Sequence, residues 1–268
     1  MTTIDAYAGI PELTVSLDGG VLSVTLNRPE TLNSLNAAML QTLADVVEHA
    51  ADDPAVRVVR LGGAGRGFSS GAGIGAEDQS DRRPDTPEDV LDMANRAVRA
   101  ITNLPKPVVS VVQGPTAGVG VSLALACDIV LASEKAFFLL AFTKIGLMPD
   151  GGASALVAAS IGRARAMKMA LLAERLPAAE AFENGLVSAV YPADELEAGV
   201  AAVIDKLASG PAVALRKTKQ AINAATLTEL EPAIARESEG QLILLHTKDF
   251  REGTKAFQEH RSPTFTDD

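Results

Sequence analysis

Two glycine-rich turns are the stretches of this sequence best suited to chemistry, and both would act through the backbone. The first spans residues 62–75, GGAGRGFSSGAGIG, and the second lies within residues 113–128, QGPTAGVGVSLALACD. Each follows an apolar stretch typical of a strand, and the second opens an uncharged helix that should be buried. The N–H groups at a helix start could hold an oxyanion or a phosphate. Two such donors converging on one oxygen would form an oxyanion hole, unless the glycines serve only close packing.

The first turn also matches two motifs that require a helix directly after the turn. Residues 71–76 fit the dinucleotide pattern G-x-G-x-x-A, and residues 67–71 fit the nucleophile elbow G-x-S-x-G. The acidic, proline-broken segment EDQSDRRP follows at residues 77–84, so neither motif has its helix. We therefore reject the dinucleotide site. A serine hydrolase with Ser69 as nucleophile and His246 or His260 as base stays a rival class.

Composition limits the partners and the compartment. The chain has 268 residues, of which 47% are hydrophobic, and a formal net charge of −10. This charge argues against nucleic acid or an anionic membrane surface as a partner. The single cysteine, Cys127, cannot form an intrachain disulfide, which favours a reducing compartment. With no membrane-length apolar stretch and no signal-like N-terminus, the sequence predicts a cytoplasmic protein that does not enter membranes.

The patterns along the chain predict an α/β fold in one domain with a helical C-terminal extension. Alternating residues around Asp18-Gly19-Gly20 predict a hairpin, and helical spacing covers residues 36–50 and 90–101. The other predicted strands are residues 56–61, 106–112, 129–131 and 136–138. Residues 76–88 read as a mobile surface loop. From residue 153 onward the pattern is almost wholly helical, with breaks at Pro177, at Pro192 and at Gly210-Pro211.

Several motifs together resemble the crotonase (enoyl-CoA hydratase/isomerase) superfamily, and the resemblance covers essentially the whole chain. They are NRP at 27–29, GRGFSSGA at 65–72, ACD at 126–128, and FREG at 250–253 followed by Phe257 and RSP at 261–263. The stretches KIGLMPDGG at 144–152 and GRARA at 162–166 are most similar to the ring-epoxyphenylacetyl-CoA isomerase branch.

The resemblance implies a spiral of ββα units over residues 1–208 and a helical trimerisation region over residues 209–268. It implies a homotrimer or a dimer of trimers. The expected ligand is an acyl-CoA thioester bent between the two glycine turns. Coenzyme A would then be part of the substrate, and neither a separate cofactor nor a metal is expected.

The resemblance also implies which residues bind the ligand. The oxyanion donors would be the backbone N–H groups of Ala72 and Val119, the latter at a position where glycine is usual. The residues implied in CoA binding are Arg28, Ala72, Gly73, Ile74, Phe257 and His260. Gly73 stands where most relatives carry aspartate, and His260 where lysine is common, which would be a weaker anion partner.

The catalytic carboxylates are where the chain departs most from the resemblance. Hydratases of this superfamily use two glutamates, and the matching positions here are Ser122 and Phe142. Asp150 remains, and apolar neighbours could raise its pKa into a useful range. Alternatively, Asp150 caps the following helix. Ser122 is expected to be a helix-packing residue bonded to its own backbone rather than a catalytic one.

The sequence therefore predicts an enzyme that shifts a double bond or rearranges an unsaturated acyl-CoA thioester through an enolate. One carboxylate suffices, because it can remove a proton at one carbon and return it at another. Two alternatives stay open. One is an enoyl-CoA hydratase of fatty-acid β-oxidation in which Asp150 alone handles the water, and the other is a non-catalytic acyl-CoA-binding protein.

Overall fold

The computed structural model describes residues 7–73 and 86–266. Its strands are β1 Leu13–Asp18, β2 Val21–Leu26, β3 Val58–Gly63, β4 Val108–Val112, β5 Pro115–Ala117, β6 Ile129–Ser133, β7 Phe137–Leu139, β8 Leu176–Pro177 and β9 Ala189–Tyr191. Its helices are α1 Ala37–Ala50, α2 Pro87–Asn103, α3 Val119–Ala126, α4 Ala153–Leu172, α5 Ala178–Glu183, α6 Leu196–Ala208, α7 Ala212–Thr226, α8 Leu230–Leu244 and α9 Lys248–Gln258. Short 3₁₀ turns lie at Pro29–Thr31 and Phe142–Ile145.

The main sheet has six strands in the order β1-β2-β3-β4-β6-β9. The predicted hairpin is confirmed, since β1 and β2 pair antiparallel from Leu13 with Leu26 to Asp18 with Val21. The remaining pairs in this sheet are parallel. All five residues of β4 are buried, as expected of a strand covered on both faces. The α/β prediction and the ββα spiral are confirmed.

A second sheet of three short strands, in the order β5-β7-β8, carries the second glycine turn. β5 leads directly into α3, where seven of the eight residues are buried. The predicted central, buried helix is thus confirmed. Because α3 begins at Val119, its first N–H groups lie next to the end of β5.

The expectation of an almost wholly helical chain after residue 153 was wrong in two places. The strand β8 pairs with β7, and β9 adds the last strand to the main sheet. Both strands are only two or three residues long, so they gave too little alternation to be recognised. Boundaries also shifted: α2 extends the predicted helix at both ends, starting from a capping box between Thr86 and Asp89.

The last three helices differ in how they meet the rest of the chain. In α8, Leu230 and Ile234 join the main hydrophobic core, and Gly253 of α9 packs on Ile145. By contrast, α7 has no buried residue. The division at residue 208 stays a prediction. The loop predicted at residues 76–88 lies mostly outside the described residues.

No single helix in the described ranges is long and apolar enough to cross a membrane, and α6 with α7 pass such a test only as a pair bent by 107°. Residues 7–73 and 86–266 also contain no group of three or more His, Cys, Asp or Glu side chains arranged to hold a metal ion.

Candidate active site

The two glycine turns lie side by side. Ser69 pairs with Thr116 in a parallel bridge, in which Ala117 donates its N–H to the Ser69 carbonyl at 2.8 Å. Continuing at the same register, Gly71 lies beside Gly118. Ala72 is the next residue after Gly71, and Val119 is the next residue after Gly118. The predicted oxyanion donors are therefore brought to the same end of one short parallel pair.

The backbone directions suit this role. Ala72 forms a bridge to Leu35 in which Leu35 donates to the Gly71 carbonyl at 2.8 Å and Gly73 donates to the Leu35 carbonyl at 3.1 Å. In such a parallel bridge the N–H of Ala72 points away from Leu35. Val119 is the first residue of α3, where N–H groups have no intrahelical acceptor. Within the described chain, neither N–H has a hydrogen-bond partner in the protein.

Glycine is required where the turns touch. Gly71 and Gly118 have φ of +90° and +54°, in the region that disfavours side chains. A Cβ atom on Gly71 would lie 2.9 Å from the Ala117 carbonyl oxygen and 3.3 Å from the Gly118 Cα. The glycines thus allow the two backbones to approach each other closely. The close packing that the glycines allow also brings the N–H groups of Ala72 and Val119 near each other, so the two roles considered for the glycines are compatible.

Asp150 is placed against α3 by the glycines that follow it. Gly151 and Gly152 have φ of +63° and +75°. This tight turn brings the Asp150 carbonyl to within 2.8 Å of the Ser122 hydroxyl, which donates to it. Ser122 lies one helical turn beyond Val119, so Asp150 is attached next to the start of α3.

The Asp150 carboxyl is enclosed, with 7% of the residue exposed. Its pKa is raised to about 7, because burial raises it strongly, a hydrogen bond from Gln241 lowers it, and the nearby Glu237 charge raises it by a smaller amount. The Gln241 amide donates to Oδ2 at 2.7 Å, while Oδ1 is buried and has no partner. An aspartate in this state exchanges a proton readily at neutral pH.

The alternative reading of Asp150 as a helix cap was wrong. The N-cap of α4 is Gly152, which offers no side chain. The carboxylate of Glu237 in α8 takes the capping role, accepting the N–H of Gly152 at 2.6 Å and that of Ser154 at 2.8 Å. The Asp150 side chain is consequently left available for chemistry.

Sequence reasoning missed Glu237 and Gln241, although a signal was present. They lie three and seven residues after Ile234, on the face that Leu230 and Ile234 bury. A polar residue that continues the apolar face of a helix becomes buried only where it finds hydrogen-bond partners. Here the partners are groups in the loop at residues 148–154. This pairing lies far apart in sequence, so no local sequence pattern indicates it.

The positions that match the hydratase glutamates hold no acid. Ser122 is fully buried, and its hydroxyl donates to Asp150, which corrects the expectation that it bonds its own helix. Phe142 is 7% exposed, and its ring Cζ lies 3.8 Å from where a Cβ on Gly118 would be. An aromatic ring thus lines the turn where a second carboxylate would otherwise stand.

The residues predicted to bind coenzyme A do not converge on one site as clearly as the two turns and Asp150 do. Arg28 is 8% exposed and donates to the Ser34 carbonyl and hydroxyl at 3.1 and 2.9 Å. Gly73 is buried beside Leu35, and Ile74 lies outside the described residues. Phe257 and His260 are both exposed at the end of α9. Their role in binding stays a prediction.

The serine hydrolase reading finds no support in the position of Ser69. Its side chain is fully buried, and its hydroxyl donates to the Asn33 carbonyl at 2.9 Å. His246 lies on the surface near Glu88, at 3.4 Å. Ser69 is therefore a structural residue that holds the first turn in place.

The chain is similar to known proteins along most of its length. The family model described as enoyl-CoA hydratase/isomerase matches residues 16–268. The 1,2-epoxyphenylacetyl-CoA isomerase of Escherichia coli is 40% identical over 252 residues, covering 93% of this chain and 96% of its own length. The 2,3-dehydroadipyl-CoA hydratase of the same organism is 35% identical, with 95% and 98% covered. The crystal structure of an enoyl-CoA hydratase from Mycobacterium avium subsp. paratuberculosis is 64% identical, with a TM-score of 0.91 and 97% and 100% covered.

The fold and these matches define the class of enzyme. The chain belongs to the enoyl-CoA hydratase/isomerase family, within the crotonase superfamily. Both hydratases and isomerases are among the similar proteins. Membership of the family is compatible with both reactions. The choice between them therefore depends on the residues of the site.

Proposed function

We propose that the enzyme moves the double bond of an unsaturated acyl-CoA thioester by proton transfer through Asp150. The observation that carries this proposal is the buried Asp150 carboxyl beside the start of α3. Asp150 is enclosed and has a pKa near neutrality, and the positions of the two hydratase glutamates hold Ser122 and Phe142. Coenzyme A is then part of the substrate.

The N–H groups of Ala72 and Val119 would receive the thioester oxygen. When a proton leaves the acyl chain, its electron pair moves onto that oxygen and forms the enolate. Each backbone donor aimed at such an oxygen is worth about 3 kcal/mol. Because the donors belong to the main chain, the valine at residue 119 retains this function. The Val119 side chain is 3% exposed and packs in the core.

The carboxylate of Asp150 would complete the cycle alone. It takes a proton from one carbon of the acyl chain and, as a carboxylic acid, returns it to another. The balance needs no water and no second acid. Hydration requires one group to activate water and another to supply a proton, and these functions are divided between two glutamates in the family's hydratases.

Hydration is the second candidate, favoured by the description of the 64% identical structure as an enoyl-CoA hydratase. Under this reading Asp150 would serve as both base and acid around a bound water. Loss of one positioned acid or base typically costs about 10²–10⁴-fold in rate. We therefore expect this enzyme to hydrate crotonyl-CoA at least about 10²-fold more slowly than a two-glutamate hydratase does.

The two reactions are separated by product analysis. The purified enzyme is incubated with straight-chain and ring-bearing unsaturated acyl-CoA thioesters, and positional isomers and 3-hydroxyacyl products are quantified by mass spectrometry and NMR. The proposal predicts isomers as the main product. Hydration at the rate of a dedicated hydratase would instead establish the second candidate. Saturable binding without turnover would indicate an acyl-CoA-binding protein.

We also propose that the chain assembles as a trimer or a dimer of trimers, in the cytoplasm. Helix α7 has no buried residue, although it carries large apolar side chains. Of these, Val213 is 63% exposed and Ile222 is 56% exposed. On α8, Ile243 is 66% exposed. Exposed apolar side chains on neighbouring helices favour an interface between subunits. Light scattering at micromolar concentration should give three or six times the chain mass, and a monomer would refute the assembly.

A further inference from the structure

Gln241 holds the loop that carries Asp150 from two sides. Its side-chain carbonyl accepts the N–H of Met148 at 3.2 Å. Its amide nitrogen donates to the Met148 carbonyl at 3.0 Å and to Asp150 Oδ2 at 2.7 Å. Both amide hydrogens and the amide oxygen are therefore used, and Gln241 is only 2% exposed. A fully used, buried amide fixes its partners in one orientation.

Glu237 lies one turn before Gln241 on the same helix and is 1% exposed. Burial raises its pKa, and the N–H groups of Ser154 and Gly152 oppose that effect. These donors lie at the start of α4, where the helix dipole also favours an anion. These hydrogen bonds favour the charged form of Glu237, and its negative charge raises the pKa of Asp150.

We propose that Gln241 and Glu237 are positioning residues for the proton transfer: Gln241 fixes one oxygen of Asp150, Glu237 fixes the turn that follows Asp150, and the other oxygen is left to carry the proton. This inference rests on the proposed function of Asp150. Oδ2 is occupied by the Gln241 amide, whereas the buried Oδ1 has no partner. The proton taken from the acyl chain is accordingly carried on Oδ1, and the electron pair of the broken C–H bond passes to the thioester oxygen.

The two residues act on Asp150 in opposite directions. A hydrogen bond from the Gln241 amide favours the ionised carboxylate, and the negative charge of Glu237 favours the protonated carboxyl. Among the described residues, Glu237 is the one charged group that acts directly on Asp150. The segments that contact the loop from α3 and α2 contribute Ser122 and Val98, which carry no charge. Arg236 is exposed and donates a hydrogen bond to Glu229 at 3.3 Å. Its positive charge lowers the pKa of Glu237.

The opposing effects give a test that a purely structural role would not pass. The variants are Gln241→Met, which keeps the side-chain length without the amide, and Glu237→Gln, which removes the charge. Glu239→Gln is the matched control, since it makes the same change on the exposed side of α8. For each protein, kcat and KM for double-bond migration are measured against pH. The Asp150 ionisation is followed separately by NMR of ¹³C-labelled aspartate carboxyls, with Asp150→Asn identifying the signal.

In Gln241→Met, the Asp150 midpoint should rise by about one pH unit because a donor to the charged form is lost. In Glu237→Gln it should fall by about the same amount. Gln241→Met should lose about 10- to 100-fold in kcat, since a misplaced base is costly, while KM stays within about twofold. Glu239→Gln should match the wild type. If Gln241→Met does not fold, Gln241→Glu replaces it, and its midpoint should also rise.

Unchanged midpoints in both variants, or shifts in the same direction, would overturn the inference. Lower melting temperatures with unaltered midpoints would assign these residues a structural role only. The carboxyl NMR signal separates this result from failure of the proposed function. If the midpoints move apart but the wild type turns over no acyl-CoA, the carboxyl arrangement stands and the proposed reaction is wrong.

Discussion

The paired turns and the Asp150 carboxyl are the two halves of the proposed site, and they are built in different ways. In the proposed site the turns use main-chain N–H groups, and they are held together by backbone pairing between residues 68–69 and 115–117. The Asp150 carboxyl is a side chain, and its bond to Gln241 spans 91 residues. A backbone site tolerates a change such as valine at residue 119. A side-chain site depends on the identity of each partner.

The largest expected effect comes from the carboxyl half. Asp150→Asn keeps the side-chain size and can still accept the Gln241 hydrogen bond, but it cannot take up a proton. We expect kcat to fall by at least about 10³-fold. Acyl-CoA affinity, measured by titration calorimetry, should stay nearly unchanged, because ligand binding uses other residues. An active variant would move the base to another residue and leave the comparison without its second half.

A smaller effect is expected from the backbone half. A Cβ on Gly120 would lie 2.8 Å from the Ser69 Cβ and 2.9 Å from the Ser69 carbonyl oxygen. Gly120→Ala should therefore push the start of α3 away from the first turn and separate the donors at Ala72 and Val119. Loss of one donor costs about 10²-fold or more in kcat.

Gly62→Ala is the control for this change, since a Cβ at that position meets nothing within 4 Å. The control should keep wild-type kcat. A fully active Gly120→Ala enzyme, with circular dichroism like that of the wild type, would show that the spacing of the two turns does not limit the reaction.

How far each half could be predicted follows from the same difference. The turns were recognised because close backbone approach leaves glycines at fixed places, such as Gly71 and Gly118, that a sequence displays directly. The acidic residue at position 150 was also found, but its surroundings were not. Whether it caps α4 or faces the ligand depends on Glu237, a residue that reaches Gly152 from 85 positions away. No local pattern records such a contact.

The same holds for the fold. Long elements such as the hairpin and the helix at residues 37–50 follow from alternation, helical spacing and the Asn36 cap, which accepts the Met39 N–H at 2.8 Å. The strands β8 and β9 are too short to show a period and exist because β7 and β6 are there to pair with. Their register is set by the tertiary structure.

The smallest effect is on stability, and it depends on pH. Burial raises the pKa of Asp150 from 3.8 to about 7, so the folded protein binds this proton more tightly than the unfolded chain. That contribution to stability is fully present below about pH 4 and is lost as pH rises to about 7. Above pH 7 the fold carries a cost on the order of 4 kcal/mol for the buried charge.

Asp150→Asn removes this cost. The melting temperature of the variant should exceed that of the wild type by several degrees at pH 8, and the difference should shrink as the pH falls to 4.5. A difference that stays constant between pH 4.5 and pH 8 would mean that the Asp150 carboxyl is not a buried charge with a raised pKa.

The central claim, that Asp150 alone moves the proton, is tested most directly by solvent deuterium exchange. Wild type and Asp150→Asn are saturated with the same unsaturated acyl-CoA in D₂O, and deuterium in the acyl chain is followed by mass spectrometry. The wild type should incorporate deuterium at a rate that rises with pH through about 7, the pKa set by burial of Asp150. The variant should incorporate it at least about 10³-fold more slowly. Exchange at the wild-type rate in Asp150→Asn would contradict the account.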